Sequence, residues 1–344
     1  MKTDELDYDL PRELIAQMPA DKRDSSRLLH CPKESGPFTD HIFSDILNFL
    51  KAGDVLVMNT AKVSPMRLFG YKYPSGARIE ILLLEKLTDG ENRYRGLMKR
   101  RRRLEPGDIV LFPESKLMAE IIESDAELGE DIVELSGVED VPGEIESTGR
   151  IPLPPYISEF EGDIGRYQTV YARTRGSVAA PTAGLHFTDE LLRRIDEMGV
   201  KRAQVHLRVG WGTFNPIRTD EIEEHKLHAE EGEISAEDAE KINVARKNGG
   251  RVVAVGTTVT RLLETSVDSD GVVHPFSGAT DLYITPGYEC RAVDVLVTNF
   301  HLPRSSLLAL VMAFLGTERT MEAYEYAIEL RYRFYSFGDA MIID

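Results

Sequence analysis

Cysteine is almost missing from this sequence. Cys31 and Cys290 are the only two among 344 residues, and no CxxC occurs. A disulfide framework is excluded, and a reducing compartment is the expectation. Long apolar runs are missing too. The longest, Leu307 to Leu315, falls far short of the ~18 residues that suggest a membrane span. The acidic start, Met1 to Asp9, has no apolar core of a signal peptide. We therefore expect a soluble cytoplasmic protein with no membrane partner. Positive charge is in deficit, with 41 Lys+Arg against 58 Asp+Glu and a net charge of −17. On the mean, this excludes a uniformly basic nucleic-acid binder, because generic phosphate attraction needs a positive surface. Walker, GxGxxG and His-Glu-x-x-His patterns are all lacking.

What is present suits a globular chain of about two domains. Phe43, Ile46, Leu47 and Leu50 have helical spacing, with Gly53 as the stop, and Val55–Met58 reads as a buried strand. Residues 62–152 then change texture. Short β-rich runs at 79–84, 93–98, 108–112, 117–122 and 131–135 are separated by turn signals such as Pro106-Gly107, with no convincing helix among them. Such runs point to a small antiparallel sheet or barrel. From about residue 185, helices and strands alternate, which argues for an α/β layer or barrel with mostly parallel strands. The fold class is thus α/β, and we read the β-rich block (62–152) as an insertion into an α/β domain (1–61 plus 153–344).

The charge deficit is uneven. Residues 61–110 carry twelve basic and six acidic side chains, whereas residues 111–149 carry one basic and twelve acidic. The densest basic run is Lys99-Arg100-Arg101-Arg102-Arg103. A phosphate-binding face needs only such a local excess.

Several segments look chemical. Gly176 to Phe187 runs through small residues to His186 and then opens a helix, which lets a ligand approach backbone closely. His206 to Phe214 ends a strand in a Gly-Trp-Gly turn holding the only Trp, and His206 and Arg208 share one strand face. Val255-Gly256-Thr257-Thr258 follows a strand and starts a helix, as does Thr298 to Ser306 with His301. Polar strand ends gathered in one α/β layer mark a ligand site. His225, His228 and Glu230 invite a metal reading, yet the spacing matches no zincin pattern.

In these segments the sequence resembles the S-adenosylmethionine:tRNA ribosyltransferase-isomerases of queuosine biosynthesis. The resemblance also runs through Asp9 to Gln17, Arg23 to Leu29, Asn59 to Val63 with Arg67, Gly165 to Ala172, and Tyr335 to Asp339. It implies transfer and isomerisation of the ribosyl part of S-adenosylmethionine onto 7-aminomethyl-7-deazaguanine at the wobble position of tRNAs with GUN anticodons. Epoxyqueuosine forms, and adenine and methionine leave. It further implies a barrel-like α/β domain with an inserted antiparallel β-barrel domain, S-adenosylmethionine as donor substrate, no prosthetic group and no metal; a monomer is expected. The Lys99–Arg103 run is denser than the family's usual basic segment.

A sulfonium and a cationic amine call for carboxylates and aromatic faces, which makes Trp211, Phe187 and Phe214 cation–π candidates. Forming an ylide beside the sulfonium needs a base. His186, His206, Glu230, Asp281 and His301 are the catalytic candidates, and the sequence does not choose among them. Arg208 is expected to hold the methionine carboxylate. Thr182, Gly184, Gly210, Thr213, Gly256 and Thr257 complete the expected donor site. Arg67 and Lys99 to Arg103 are expected on tRNA phosphates. Two competing readings stay open: a metal-dependent hydrolase using His225, His228 and Glu230, and an RNA-binding module without catalysis.

Overall fold

A computed structural model of the chain describes residues 1–99, 104–113, 115–125, 130–158, 160–210 and 216–344. The chain forms two compact units, Met1–Lys62 with Pro154–Thr174 and Ala180–Asp344, and Val63–Leu153 with Arg175–Ala179.

The first unit is organised by strands apolar on both faces. Its strands are β1 (Arg27–Cys31), β2 (Thr39–Ile42), β3 (Val55–Asn59), β12 (Lys201–Leu207), β13 (Glu230–Ile234), β14 (Val252–Val255), β15 (Phe276–Thr280), β16 (Val295–Asn299) and β17 (Ala340–Ile343). They make one nine-stranded sheet in the order β15-β13-β12-β3-β14-β16-β17-β1-β2. Every residue of β3, β14 and β16 is buried, as expected of parallel strands covered on both faces.

The centre, β12-β3-β14-β16, is parallel. Around it, β13, β15 and β2 pair antiparallel, as does β17 with β16, and β1 lies parallel to β17. Parallel pairing therefore holds at the centre and again between β17 and β1, with antiparallel pairs elsewhere. A parallel return needs a helical crossover. Among the described residues between β12 and β13 no α-helix occurs, and β13 pairs antiparallel with β12.

The helices follow their caps. Thr188 accepts from Leu191 N at 3.1 Å to start α2 (Asp189–Glu197), a contact worth about 1 kcal/mol. Leu191, Leu192 and Ile195 then pack with Phe43, Ile46, Leu56, Met58 and Val297 in one core, each side chain contributing roughly 1.5–3 kcal/mol. Ser235 starts α3 (Ala236–Lys247) by accepting from Asp238 N. α4 (Thr257–Ser266) crosses the parallel strands, and α5 (Ser306–Leu315) and α6 (Thr317–Glu329) lie together. The 43–50 segment is a 3-10 helix ending at Asn48, and Gly53 lies beyond it with φ +93° in the turn before β3.

The second unit contains β5 (Arg67–Tyr73), β6 (Ala77–Lys86), β7 (Arg93–Lys99), β8 (Ile109–Leu111), β9 (Met118–Asp125) and β10 (Glu130–Ser136). They close a barrel in the order β10-β7-β6-β5-β8-β9, which leaves no free sheet edge. Alternate residues, among them Leu68, Ile81, Leu83, Val110, Ile121 and Val133, fill the interior. A helix does occur here, against expectation. α1 (Val141–Thr148) carries Pro142 and Gly143 in its first turn, which hides it from propensity, yet Asp140 caps it through Gly143 N. Its Val141 and Ile145 join the barrel core. Short strands β4 (Ala61–Val63) and β11 (Thr174–Ser177) lie where the chain passes between units.

Candidate functional site

A cleft opens in the first unit where the central parallel strands end. Counting its open mouth it measures about 680 Å³. Its walls are the small-residue loop Ala180–Ala183, Gly256–Thr258, Thr298–Leu302, and the aromatic pair Tyr156 and Tyr335.

Gly256 joins β14 to α4 with φ +93° and ψ 159°, a region essentially reserved for glycine. Its N–H donates to Val297 O at 2.7 Å. No side chain caps α4. Thr257 and Thr258 line the cleft at the N-terminus of the helix.

Two asparagines at strand ends hold the floor. Asn59, closing β3, accepts from Ala61 N (3.0 Å) and Leu207 N (3.1 Å) through Oδ1. Its Nδ2 donates to Leu207 O (3.0 Å) and Thr258 Oγ1 (3.4 Å), which ties β3, β12 and α4 together. Asn299, closing β16, turns Nδ2 toward Tyr335 O (3.2 Å) and Asp339 O (3.3 Å). Carbonyls cannot donate, so the amide orientation is fixed. The same Nδ2 lies 3.1 Å from His186 Nε2. That nitrogen must accept, and Nδ1–H donates to Ser26 Oγ at 2.7 Å. His186 is stacked on Phe43 and lies behind the cleft wall. Burial pushes its pKa down to about 4.

His301 lies on the wall itself. Its Nε2 is 2.9 Å from Thr298 Oγ1, its N–H donates to Tyr324 Oη at 3.0 Å, and its carbonyl accepts from Tyr8 Oη. Burial pushes its pKa down to about 3, so the imidazole is neutral. Tyr335 has φ +73°, rare for a bulky residue. It is held there because its N–H donates to Phe300 O and its carbonyl accepts from Gly338 N and Asn299 Nδ2. Its ring stands 4.7 Å from that of Tyr156. Among the described residues, the cleft lining carries no Asp, Glu, Lys or Arg. These walls offer aromatic rings and amide or hydroxyl dipoles.

The sequence-derived candidates divide. Thr182, Gly256, Thr257 and His301 line the cleft, and His186 backs it through Asn299. Gly184 faces elsewhere, since a Cβ there would fall 2.0 Å from Tyr171 Oη. Phe187 is fully buried in the core against Phe43. Glu230, at the start of β13, accepts from Gly210 N at 2.8 Å and pairs with Arg261 Nη1 at 2.5 Å, both charged residues being buried. His206 is half-buried, and burial together with Arg208 lowers its pKa. Arg208 and Asp281 are exposed and lie off the cleft lining. Trp211, Thr213 and Phe214 lie outside the described residues, as do Arg100 to Arg103.

In the barrel, Arg67 pairs with Glu80 at 3.1 Å, and Lys99 closes β7. His225 packs edge-on against Tyr283 in an extended segment, and His228 is exposed. With Glu230 turned to Arg261, these three do not converge. Among the described residues no cluster of three His, Cys, Asp or Glu is placed to hold a metal. Asn59, Asn299, Tyr156 and Tyr335 were not singled out as site residues. The signal that finds the asparagines is an apolar strand run closing on a buried Asn, present twice.

The chain is similar to known proteins along its whole length. A family model described as "Queuosine biosynthesis protein" matches residues 3–343. Proteins named S-adenosylmethionine:tRNA ribosyltransferase-isomerase are 48% identical in Halothermothrix orenii, over all of both chains. In Caldanaerobacter subterraneus the identity is 49%, again over all of both chains. A crystal structure of S-adenosylmethionine tRNA ribosyltransferase from Thermotoga maritima is 36% identical. It superposes with a TM-score of 0.56 and covers 99% of this chain and 100% of its own. The chain belongs to the queuosine biosynthesis family of S-adenosylmethionine:tRNA ribosyltransferase-isomerases.

Proposed function

We propose that this enzyme transfers and isomerises the ribosyl moiety of S-adenosylmethionine onto 7-aminomethyl-7-deazaguanine at the wobble position of tRNAs with GUN anticodons. Epoxyqueuosine-tRNA is formed, and adenine and methionine are released. The observation that carries this reading is the cleft at the ends of β3, β12, β14 and β16, in a chain of this family.

The donor lies against backbone at Gly256, with Thr257 and Thr182 as hydrogen-bonding partners. The sulfonium sits by aromatic faces, for which Tyr335, Tyr156 and Trp211 are the candidates; a cation–π contact contributes about 0.5–2 kcal/mol. Arg208 takes the methionine carboxylate. His301 contacts the reacting part as a neutral imidazole, and His186 positions Asn299. Glu230 anchors the backbone at Gly210 by accepting from its N–H. His206 and Asp281 complete the set from which the base is drawn. Arg67 and Lys99 to Arg103 contact tRNA phosphates. The reaction runs in the cytoplasm on a monomer, with no prosthetic group.

Equilibrium binding of S-adenosylmethionine and turnover of the modified tRNA, measured on Thr257→Val and His301→Asn, test the placement. Weaker donor binding in the first and slower turnover in the second are expected. Unchanged binding and turnover in folded protein would move the donor out of this cleft.

A further inference from the structure

The outer face of a small barrel is normally polar, because alternate strand residues face water. Here β5 breaks that rule three times in succession: Phe69, Tyr71 and Tyr73 are exposed at every second position, Tyr73 at 62%. Register extends the patch. Tyr71 lies opposite Leu111 of β8, Leu111 opposite Met118 of β9, and Tyr73 opposite Ile109. Six of the twelve exposed large apolar side chains among the described residues fall on these three strands.

Beside the stripe runs a groove of about 1300 Å³, counting its open mouth, whose lining includes Phe69, Tyr71, Arg78, Thr148 and Arg150. Arg78 is opposite Tyr71 on β6, and the Arg150 guanidinium lies 5.1 Å over the Phe69 ring. The nearby carboxylate of Glu80 is already paired with Arg67. Arg78 and Arg150 have no ion-pair partner among the described residues.

We propose that this face of the barrel is a platform for unpaired nucleotides of the RNA substrate, separate from the nucleotide that reacts. Rings two positions apart on a strand are ~6.4–6.8 Å apart, a step an unstacked single strand can follow. Flat exposed rings accept bases of any identity, and unpaired guanidiniums meet the phosphates between them. A protein partner would leave both guanidiniums needing carboxylates; a nucleic-acid strand supplies an anion at every step. This inference rests on the RNA-modifying function proposed above.

The test uses the full-length chain and a synthetic RNA stem–loop with an anticodon-loop sequence and 2-aminopurine at an unpaired position. Phe69→Ala and Tyr71→Ala each weaken binding by about 5- to 150-fold, diminish the 2-aminopurine quenching, and leave the salt slope unchanged. Arg78→Gln and Arg150→Gln weaken binding and reduce the slope. Circular dichroism verifies that the variants are folded. Wild-type affinity and quenching in both aromatic variants would overturn the proposal. So would a change of sedimentation in those variants without RNA, which would make the stripe a contact between copies of this chain. Wild-type protein that binds the stem–loop on this face but releases no adenine with modified tRNA would overturn the proposed reaction while leaving the platform standing.

Discussion

Replacing Arg261 by Met removes the partner of a buried carboxylate. Arg261 donates to Glu230 Oε2, to Leu282 O at 2.9 Å and to Thr280 O at 3.4 Å, and both charged residues are about 5% exposed. Methionine keeps the apolar length but leaves Glu230 without its cation and two backbone carbonyls without donors. Breaking a buried pair from one side costs about 3–5 kcal/mol. For a domain of this size each kcal/mol is roughly 2–4 °C, so the melting temperature should fall by about 6–20 °C. Adding Glu230→Gln removes the stranded charge while its side-chain carbonyl still accepts from Gly210 N. The double variant should therefore recover part of the loss, with a coupling of about 0.5–3 kcal/mol. Thermal and urea unfolding of the four proteins in the cycle measure this. A drop of less than about 2 °C in Arg261→Met, or strict additivity, would refute the reasoning that Glu230 is an anchored carboxylate.

Burial holds His186 and His301 neutral with depressed pKa values. The unfolded chain takes up protons first below about pH 6.5, so stability is full above that and falls by about 1.4 kcal/mol per pH unit for each histidine as pH drops toward their folded values. Urea unfolding between about pH 7 and 5.5 should show this slope, and His186→Asn should reduce it by up to about 1.4 kcal/mol per pH unit; an unaltered slope in the variant would contradict the assignment. Gly256→Ala forces a Cβ into a φ of +93° at a cost of about 1–3 kcal/mol, and calorimetry should show weaker S-adenosylmethionine binding as the loop shifts. Gly184→Ala drives a Cβ to 2.0 Å from Tyr171 Oη, costing about 1–3 kcal/mol. Because the clash is with the hydroxyl, Tyr171→Phe in the same chain should restore part of the melting temperature, and no recovery would contradict that cause.

Much of this architecture is legible in the sequence for physical reasons. Strands β3, β14 and β16 are nearly continuous apolar runs, and the segments that close the last two, Val255 to Thr258 and Thr298 to His301, carry polar residues of the cleft. Five of the barrel strands announce themselves through turn residues. β5 does not, because Phe69, Tyr71 and Tyr73 put large apolar side chains on its outer face while Gly70 and Lys72 follow Leu68 on the other, which hides the alternation. β13 and β15 also escape, since Glu230–Ile234 and Phe276–Thr280 are interrupted by charge and glycine at an antiparallel edge. Within the site, sequence separates residue types but not directions. His186 and His301 look alike as strand-end or loop histidines. Only the fold puts one behind Asn299 and the other on the wall. Glu230 reads as a free carboxylate until the partner supplied by α4 is in view, and Gly184 reads as open backbone until Tyr171 fills its face.

The most direct measurement is product analysis after incubation of the purified protein with S-adenosylmethionine and tRNA carrying 7-aminomethyl-7-deazaguanine. Mass spectrometry should find epoxyqueuosine in the digested tRNA, together with free adenine and methionine in equal amount, and none of the three when either substrate is omitted. Intact S-adenosylmethionine and unaltered 7-aminomethyl-7-deazaguanine, with an enzyme shown to bind both, would contradict the proposed reaction.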